Sequence, residues 1–244
     1  MDVSGNTILI TGGATGIGLA TARAFISRGN TVIVCGRRRH TLAAAKEQLP
    51  EIHVRVCDVS KPAARRALVR WILTRFPRLN VLVNNAGVQR PVDFLKGVRD
   101  LADADQELAT NLTGPIHLSA LLIPHLRRRK EAAILNISSG LGFTPLAVVP
   151  VYCATKAAVH SLSLSMRHQL RETSVRVFEF VPPIVATELA GGRQRPDEGE
   201  FTMTAEAVAE GIIDAMKHDR YEVPLGAAAN LFNKRDALFN VIND

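Results

Sequence analysis

Aromatic side chains are scarce in this sequence: two tyrosines, one tryptophan and nine phenylalanines make up 5% of 244 residues. So thin a set gives no stacking platform for single-stranded nucleic acid, and no DNA- or RNA-binding motif accompanies it. Cysteine is also rare. Cys35, Cys57 and Cys153 are odd in number, far apart and set in apolar surroundings, which argues against a disulfide framework and for buried free thiols in a reducing compartment. The seven histidines show no HExxH and no pairing with cysteine at ligand spacing, so no metal site is expected. Long apolar runs are missing too. The best candidates, LSALLIP and PLAVVPV, are short and broken by proline, which excludes them as membrane spans. The opening MDVSGNTILITGG lacks the basic start and apolar centre of a secretory signal. The expectation is a soluble, cytoplasmic protein with neither nucleic acid nor membrane as partner.

What is present is enough apolar material for a core, 47% of residues, and an excess of 30 basic over 23 acidic side chains, a formal charge of +7. That charge fits an acidic partner or simply a basic surface, and the second reading is preferred. Two basic runs stand out, GRRRH at 36–40 and LRRRKE at 126–131. The second suits a solvated helix C-terminus, where positive charge complements the dipole. Docking of an acidic carrier that delivers a 3-oxoacyl group is its alternative reading.

Short β-branched runs alternate with longer helical patterns. Strands are expected at 6–11, 30–36, 53–58, 80–87, 132–139 and 174–181, with a short one at 221–224. Helices are expected at 16–28, 39–49 and 62–75, and two more, separated near residue 100, follow the fourth strand. This alternation predicts right-handed βαβ units and a parallel sheet covered on both faces, in one α/β domain spanning 1–244. The polar stretch ELAGGRQRPDEGEF (188–201) reads as a mobile surface loop.

TGGATGIG (11–18) joins the first strand to the first helix. A phosphate-binding P-loop would need Lys and Ser or Thr after its last glycine, where Leu19 and Ala20 stand. The spacing is TGxxxGxG, with Gly12, Gly16 and Gly18 in its three glycine positions. Glycines here allow a tight turn and close backbone approach, and the helix N-terminus presents N–H groups to a pyrophosphate. A dinucleotide fold that prefers NAD(H) carries an acid at the end of the second strand. This chain has Gly36 there, followed by Arg37, Arg38 and Arg39. A guanidinium binds a 2′-phosphate by paired, charge-assisted hydrogen bonds, so NADP(H) is the expected cofactor, with Arg37 the first contact and Arg38 the second. NAD(H) is the alternative. Asp58, closing the third strand, suits an adenine amino group.

These motifs resemble the short-chain dehydrogenases/reductases, and within them the DltE-like branch. The resemblance rests on Thr11–Gly18, on Asn84-Asn85-Ala86-Gly87, on Asn111, on the pair Ser138-Ser139, and on Tyr152-Cys153-Ala154-Thr155-Lys156, in order and spacing. It implies a Rossmann-like doubly wound parallel sheet of about seven strands and hydride transfer between a nicotinamide and a carbonyl or alcohol substrate. It also implies that Ser139, thirteen residues before Tyr152, is the catalytic serine, with Ser138 the alternative. Asn111, Tyr152 and Lys156 complete the implied catalytic set. The implied cofactor contacts add Thr15, Ile17, Val59, Asn85, Ala86 and Gly87 to the residues above. Late in the chain they add Pro182, Val185 and Thr187, the last at the nicotinamide carboxamide.

Residues four apart on a helix share a face, so Tyr152 and Lys156 project into one pocket. An ordinary phenol titrates at about 10, too high for efficient proton exchange near neutrality. A neighbouring ammonium, with the positive oxidised nicotinamide, is expected to lower that value. Tyr152 then serves as acid or base, and Ser139 supports charge developing on the substrate oxygen. The resemblance gives Asn111 the task of holding Lys156 and a water in a proton relay. Leu141, Phe143, Leu146, Val148 and Val149 line an apolar substrate pocket or simply pack. A substrate loop is expected near 188–204 and a helical extension near 227–244. His40, His117, His125 and His160 are read as structural or surface groups. The expected assembly is a homodimer through helices at 101–127 and 152–172, with a tetramer as alternative. A protein that binds NADP(H) without turnover, as a sensor, is the competing functional class.

Overall fold

A computed structural model of the chain describes residues 1–185, 187, 189 and 202–243. Its centre is β1 (Thr7–Thr11), every residue of which is buried. β1 pairs in parallel with β2 (Thr31–Gly36) on one side and with β4 (Val81–Asn84) on the other. Beyond β2 lies β3 (His53–Val56). Beyond β4 lie β5 (Ala132–Ile137), β6 (Val175–Val181) and β9 (Glu222–Pro224). The order β3-β2-β1-β4-β5-β6-β9 is parallel throughout, so seven strands form the doubly wound sheet expected from the pattern.

Burial on both faces explains why the inner strands β1, β2, β4 and β5 are nearly continuous apolar runs, whereas the edge strand β3, largely exposed, carries His53 and Arg55. Ile8, Ile10, Val32, Val34, Val81 and Val83 face one layer, which contains α1 (Gly16–Ile26) and α7 (Ala205–Lys217). Leu9, Ile33 and Leu82 face the other, formed by α3 (Pro62–Arg75), α5 (Gly114–Leu126) and α6 (Pro150–Leu170). α2 (Arg39–Gln48) links β2 to β3. The connections out of β1 and β4 run to opposite sides of the sheet. This opens a crevice at the carboxyl ends of those two strands, where doubly wound folds bind ligands.

The middle of the sheet also carries a polar ladder. Asn84 donates to Ser119 Oγ (3.1 Å) and to Asn136 Oδ1 (2.9 Å), and Asn136 donates to Ser163 Oγ (2.9 Å), tying α5 through β4 and β5 to α6. Asn136→Leu leaves an amide hydrogen of Asn84 without its acceptor and the Ser163 oxygen without its donor. Each such buried loss costs about 1–3 kcal/mol. A fall in the urea midpoint with an unchanged m-value is therefore expected; an unchanged midpoint would show that the ladder contributes nothing to stability.

The chain beyond β4 departs from two simple helices. A 3₁₀ segment, Phe94–Leu101, is kinked at Gly97 (φ 65°). The short α4 (Ala104–Leu108) then runs through a π-helical turn, Ala109–Thr113, into α5. The π turn coincides with Asn111, whose amide binds the backbone of Val88 on both sides, donating to its carbonyl (2.8 Å) and accepting from its N–H (2.9 Å). Such local widenings recur where a helix must aim a side chain inward.

β7 (Ile184–Val185) and β8 (Thr202–Met203) form a small parallel pair. Most of the expected substrate loop, residues 188 and 190–201, lies outside the described residues. The expected C-terminal extension consists of three short pieces: α8 (Ala228–Lys234), a 3₁₀ turn Arg235–Leu238 and α9 (Phe239–Asn243). It folds back over the segment between Ser139 and Tyr152. Thr144 Oγ1 donates to the carbonyls of Leu231 (3.1 Å) and Arg235 (2.9 Å), and Asn243 donates to the carbonyl of Pro145 (3.0 Å).

Candidate active site

At the carboxyl end of β1 the glycine turn is held against the end of β4. Thr11 Oγ1 accepts hydrogen bonds from the N–H groups of Asn85 and Ala86 (both 3.0 Å). Asn85 in turn donates to the carbonyls of Thr11 (2.9 Å) and Gly12 (3.1 Å). The glycines are there because of this closeness. A Cβ on Gly18 would lie 2.4 Å from the Gly12 oxygen, and one on Gly16, already at φ +52°, would lie 2.9 Å from Thr187 Cγ2. Thr15 precedes α1 in an extended conformation and makes no side-chain cap, and no acid stands in the first helical turn. The start of α1, with Thr15, Gly16, Ile17 and Gly18, therefore keeps the electropositive character that suits an anion. Thr187 reaches this turn from the far side of the crevice.

Along the same edge, Gly36 closes β2, and Arg37 and Arg38 follow it as exposed residues, Arg38 preceding the first residue of α2. Asp58 accepts from the backbone and hydroxyl of Ser60 (3.0 and 2.7 Å). Val59 is buried, and its carbonyl accepts from Arg65. Gly87 sits between this edge and the second half of the site, within 3.9 Å of Lys156 Nζ when given a Cβ.

That second half is built on the ends of β5 and β6 and on the first turns of α6. Asn111, Ser139, Tyr152 and Lys156 are all buried. The two adjacent serines point to different partners. Ser138 donates to the Phe180 carbonyl on β6 (3.2 Å), whereas the Ser139 hydroxyl lies beside the Tyr152 phenol and favours its ionised form. Ser139 also accepts from Leu141 N–H (3.2 Å), which fixes it at the head of a short 3₁₀ turn. Lys156 Nζ donates to the Ile137 carbonyl (2.7 Å) and lies 5.5 Å from the centre of the Tyr152 ring. Asn111 touches the same helix through Thr155 (3.2 Å). Pro182 is buried with its carbonyl accepting from Gly140 N–H (3.1 Å), and Val185 is half-buried in β7.

Electrostatics here differ from the expectation that the lysine lowers the phenol. Burial pushes Tyr152 above its ordinary value; the Ser139 hydroxyl opposes this, and Cys153 and Glu107 add to it. Burial also pulls the Lys156 ammonium down to about 8, against the favourable charges of Glu179 and Glu107. In the protein itself desolvation outweighs the charge partners, so the phenol is firmly protonated.

The residues between Ser139 and Tyr152 divide. Leu141 and Leu146 pack with Val149, Tyr152 and Cys153 beside the phenol. Phe143 instead packs on Val181, Ala228 and Phe232, while Val148 is exposed. His125 bonds the Leu79 carbonyl (3.0 Å) and His160 bonds Glu179 (2.8 Å), so neither reaches the phenol. Sequence reasoning missed two residues here: Thr11, whose hydroxyl joins the two loops, and Glu107, buried on α4. Among the described residues no helix is long and apolar enough to cross a membrane.

Known proteins share this arrangement. The sequence model of a family described as short chain dehydrogenase matches residues 6–198. The uncharacterized oxidoreductase DltE of Bacillus subtilis (strain 168) is 49% identical over 226 residues, 91% of this chain and 89% of that protein. The NADP-dependent 3-hydroxy acid dehydrogenase YdfG of Escherichia coli (strain K12) is 31% identical over 215 residues, 84% of this chain and 86% of that protein. Among solved structures, the closed form of serine dehydrogenase complexed with NADP+ aligns with a TM-score of 0.81 at 28% identity, over 91% of this chain and 95% of that one. With a family match over most of its length and a relative of nearly half identical sequence, the chain belongs to the short-chain dehydrogenase family, in its DltE-like branch, and is an oxidoreductase of that family.

Proposed function

We propose that the protein is an NADP(H)-dependent reductase of a carbonyl group, with Tyr152 as the acid. The observation that carries this reading is a buried phenol beside the buried Ser139, with Lys156 one helical turn further along the same face, 5.5 Å from the ring. The glycine turn and α1 hold the dinucleotide, and the crevice between β1 and β4 directs its nicotinamide end towards Tyr152. When bound, the reduced nicotinamide supplies hydride to the carbonyl carbon. Ser139 donates a hydrogen bond to the carbonyl oxygen and opposes the rise of free charge there. Tyr152 gives its proton to that oxygen, and its high affinity for the proton is no obstacle, because an alkoxide is a stronger base than a phenolate. Lys156 stabilises the phenolate left behind, and Asn111 holds the neighbouring backbone at Val88 in place. The relatives' names support nicotinamide chemistry, since YdfG and serine dehydrogenase are both described with NADP.

Arg37 and Arg38 favour the 2′-phosphate, so NADPH rather than NADH is the working cofactor. Leu141, Leu146 and Val149 beside the phenol favour an apolar group next to the carbonyl. α5 and α6 suit a homodimer face, and three buried, reduced thiols suit the cytoplasm. The test is NADPH oxidation across ketones, aldehydes and 3-oxoacyl thioesters. Turnover with one class defines the substrate. A protein that binds NADPH but turns over none of them would sink the reductase reading in favour of a sensor.

A further inference from the structure

Glu107 lies on α4, one helical turn before Asn111, and is fully buried. Among the described residues neither of its carboxyl oxygens makes a hydrogen bond of normal geometry, although the Arg90 amide lies near enough to favour the carboxylate. Buried carboxylates without partners are rare, because the desolvation of each unpaired oxygen is uncompensated. α4 packs on α6, the helix that carries Tyr152, Cys153 and Lys156, and Glu107 acts electrostatically on all three. On its other side Glu107 borders a cleft of about 310 Å³ shared with Arg90, Arg99, Asp100 and Asp103.

We propose that Glu107 is a positioning carboxylate that holds the Tyr152–Lys156 pair in its proton-bearing form, so that the site is set to donate a proton and reduce a carbonyl. This rests on the reductase reading above. An anion at this place stabilises the Lys156 ammonium and opposes formation of the Tyr152 phenolate. Both effects keep protons on the pair, whichever group gives one up. Glu107 does not act alone on the pair. Arg90 faces Glu107 from the segment after β4 but is paired with Asp103 (3.0 Å). Glu179 faces Lys156 from β6, hydrogen-bonded to His160, and is the larger favourable charge on that ammonium, whereas Glu107 bears on Tyr152 as well as on Lys156. Cys153, also on α6, is a thiol whose own ionisation is disfavoured by burial. Burial raises Glu107 itself to about 7, opposed by the Arg90 amide and guanidinium and by Lys156. The carboxylate thus forms as pH rises through neutrality, just below the range in which Lys156 would lose its proton.

The test reads Lys156 directly. The chain has seven lysines, so protein labelled with ¹³C at lysine Cε gives few signals, and the Lys156 signal is the one lost in Lys156→Arg. Its midpoint, near 8 in the parent, is expected to fall by about one pH unit in Glu107→Gln, the scale on which a nearby opposite charge acts. Glu107→Asp is expected to restore most of the shift. Glu107→Leu, which removes the orphan oxygens altogether, covers the case in which the amide disturbs folding, and is expected to move the midpoint the same way. The alkaline limb of NADPH-dependent reduction should move with it, while KM stays nearly constant. An unmoved Lys156 midpoint in folded Glu107→Gln and Glu107→Leu overturns the proposal. Absence of any turnover by the parent protein overturns the reductase reading instead, and leaves the lysine titration to be judged alone.

Discussion

Tyr152→Phe is expected to lower turnover about 10²- to 10⁴-fold, the range contributed by a positioned general acid, while NADPH affinity stays nearly unchanged. Phenylalanine keeps the ring in its packing with Val149, Cys153, Leu141 and Leu146, so the pocket is retained. What is lost is the phenolic hydroxyl itself. An interaction made only as charge moves to the substrate oxygen lowers kcat and kcat/KM together. Single-turnover measurement with NADPH separates this from slowed product release. Retained turnover would remove Tyr152 from the role of acid.

The variant also tests the kind of acid proposed for this site. A phenol raised by burial is a weak acid in the resting site, which protects its proton until a strong base appears next to it. A forming alkoxide is such a base. Lys156, lowered to about 8 by the same burial, remains mostly an ammonium at neutrality and steadies the phenolate that follows. Lys156→Met would then leave the phenol in place and remove the charge that receives its loss.

The strands and the glycine turn were legible because their physical causes are local. A sheet buried on both faces needs continuous apolar runs, and a backbone that touches another backbone needs positions without Cβ, as at Gly18 beside the Gly12 carbonyl. The pairing of Tyr152 with Lys156 follows from helical periodicity alone. Other features depend on contacts distant in sequence. Ser138 and Ser139 are chemically identical in the sequence; they separate because neighbouring residues in extended chain face opposite ways, one to Phe180 and the other to Tyr152. Glu107 stands in the polar run DADQEL, which carries no local sign of burial. Its burial comes from α4 lying on α6. Whether Phe143 lines a pocket or packs is decided only by the C-terminal helices, which close over it with Phe232, 4.6 Å between ring centres. The upward shift of the phenol in the protein alone is hidden for the same reason. The sequence displays the neighbouring charge and conceals the depth of burial.

On the proposed reading cofactor choice is made at the end of β2, and it yields a second large effect. Arg37→Ala is expected to weaken NADPH binding about 10- to 100-fold while leaving NADH binding nearly constant. A hydrogen bond to a charged group contributes about 1.5–3 kcal/mol, and each 1.4 kcal/mol is about tenfold. The loss should shrink as salt rises, because Arg37 is exposed and its charge is screened. The converse substitution is Gly36→Asp. A Cβ at Gly36 would meet only Leu42, at 3.9 Å, and no positive φ restricts the position, so the backbone accepts an acid without strain. Its carboxylate would accept from a ribose 2′-hydroxyl and repel a 2′-phosphate, strengthening NADH as it weakens NADPH. Titrating both cofactors against both variants tests one mechanism in two directions. Equal losses of NADPH and NADH in Arg37→Ala would place the 2′-phosphate elsewhere. If Gly36→Asp nonetheless reversed the preference, the end of β2 would select by its own charge, with the arginine contributing only to the general field.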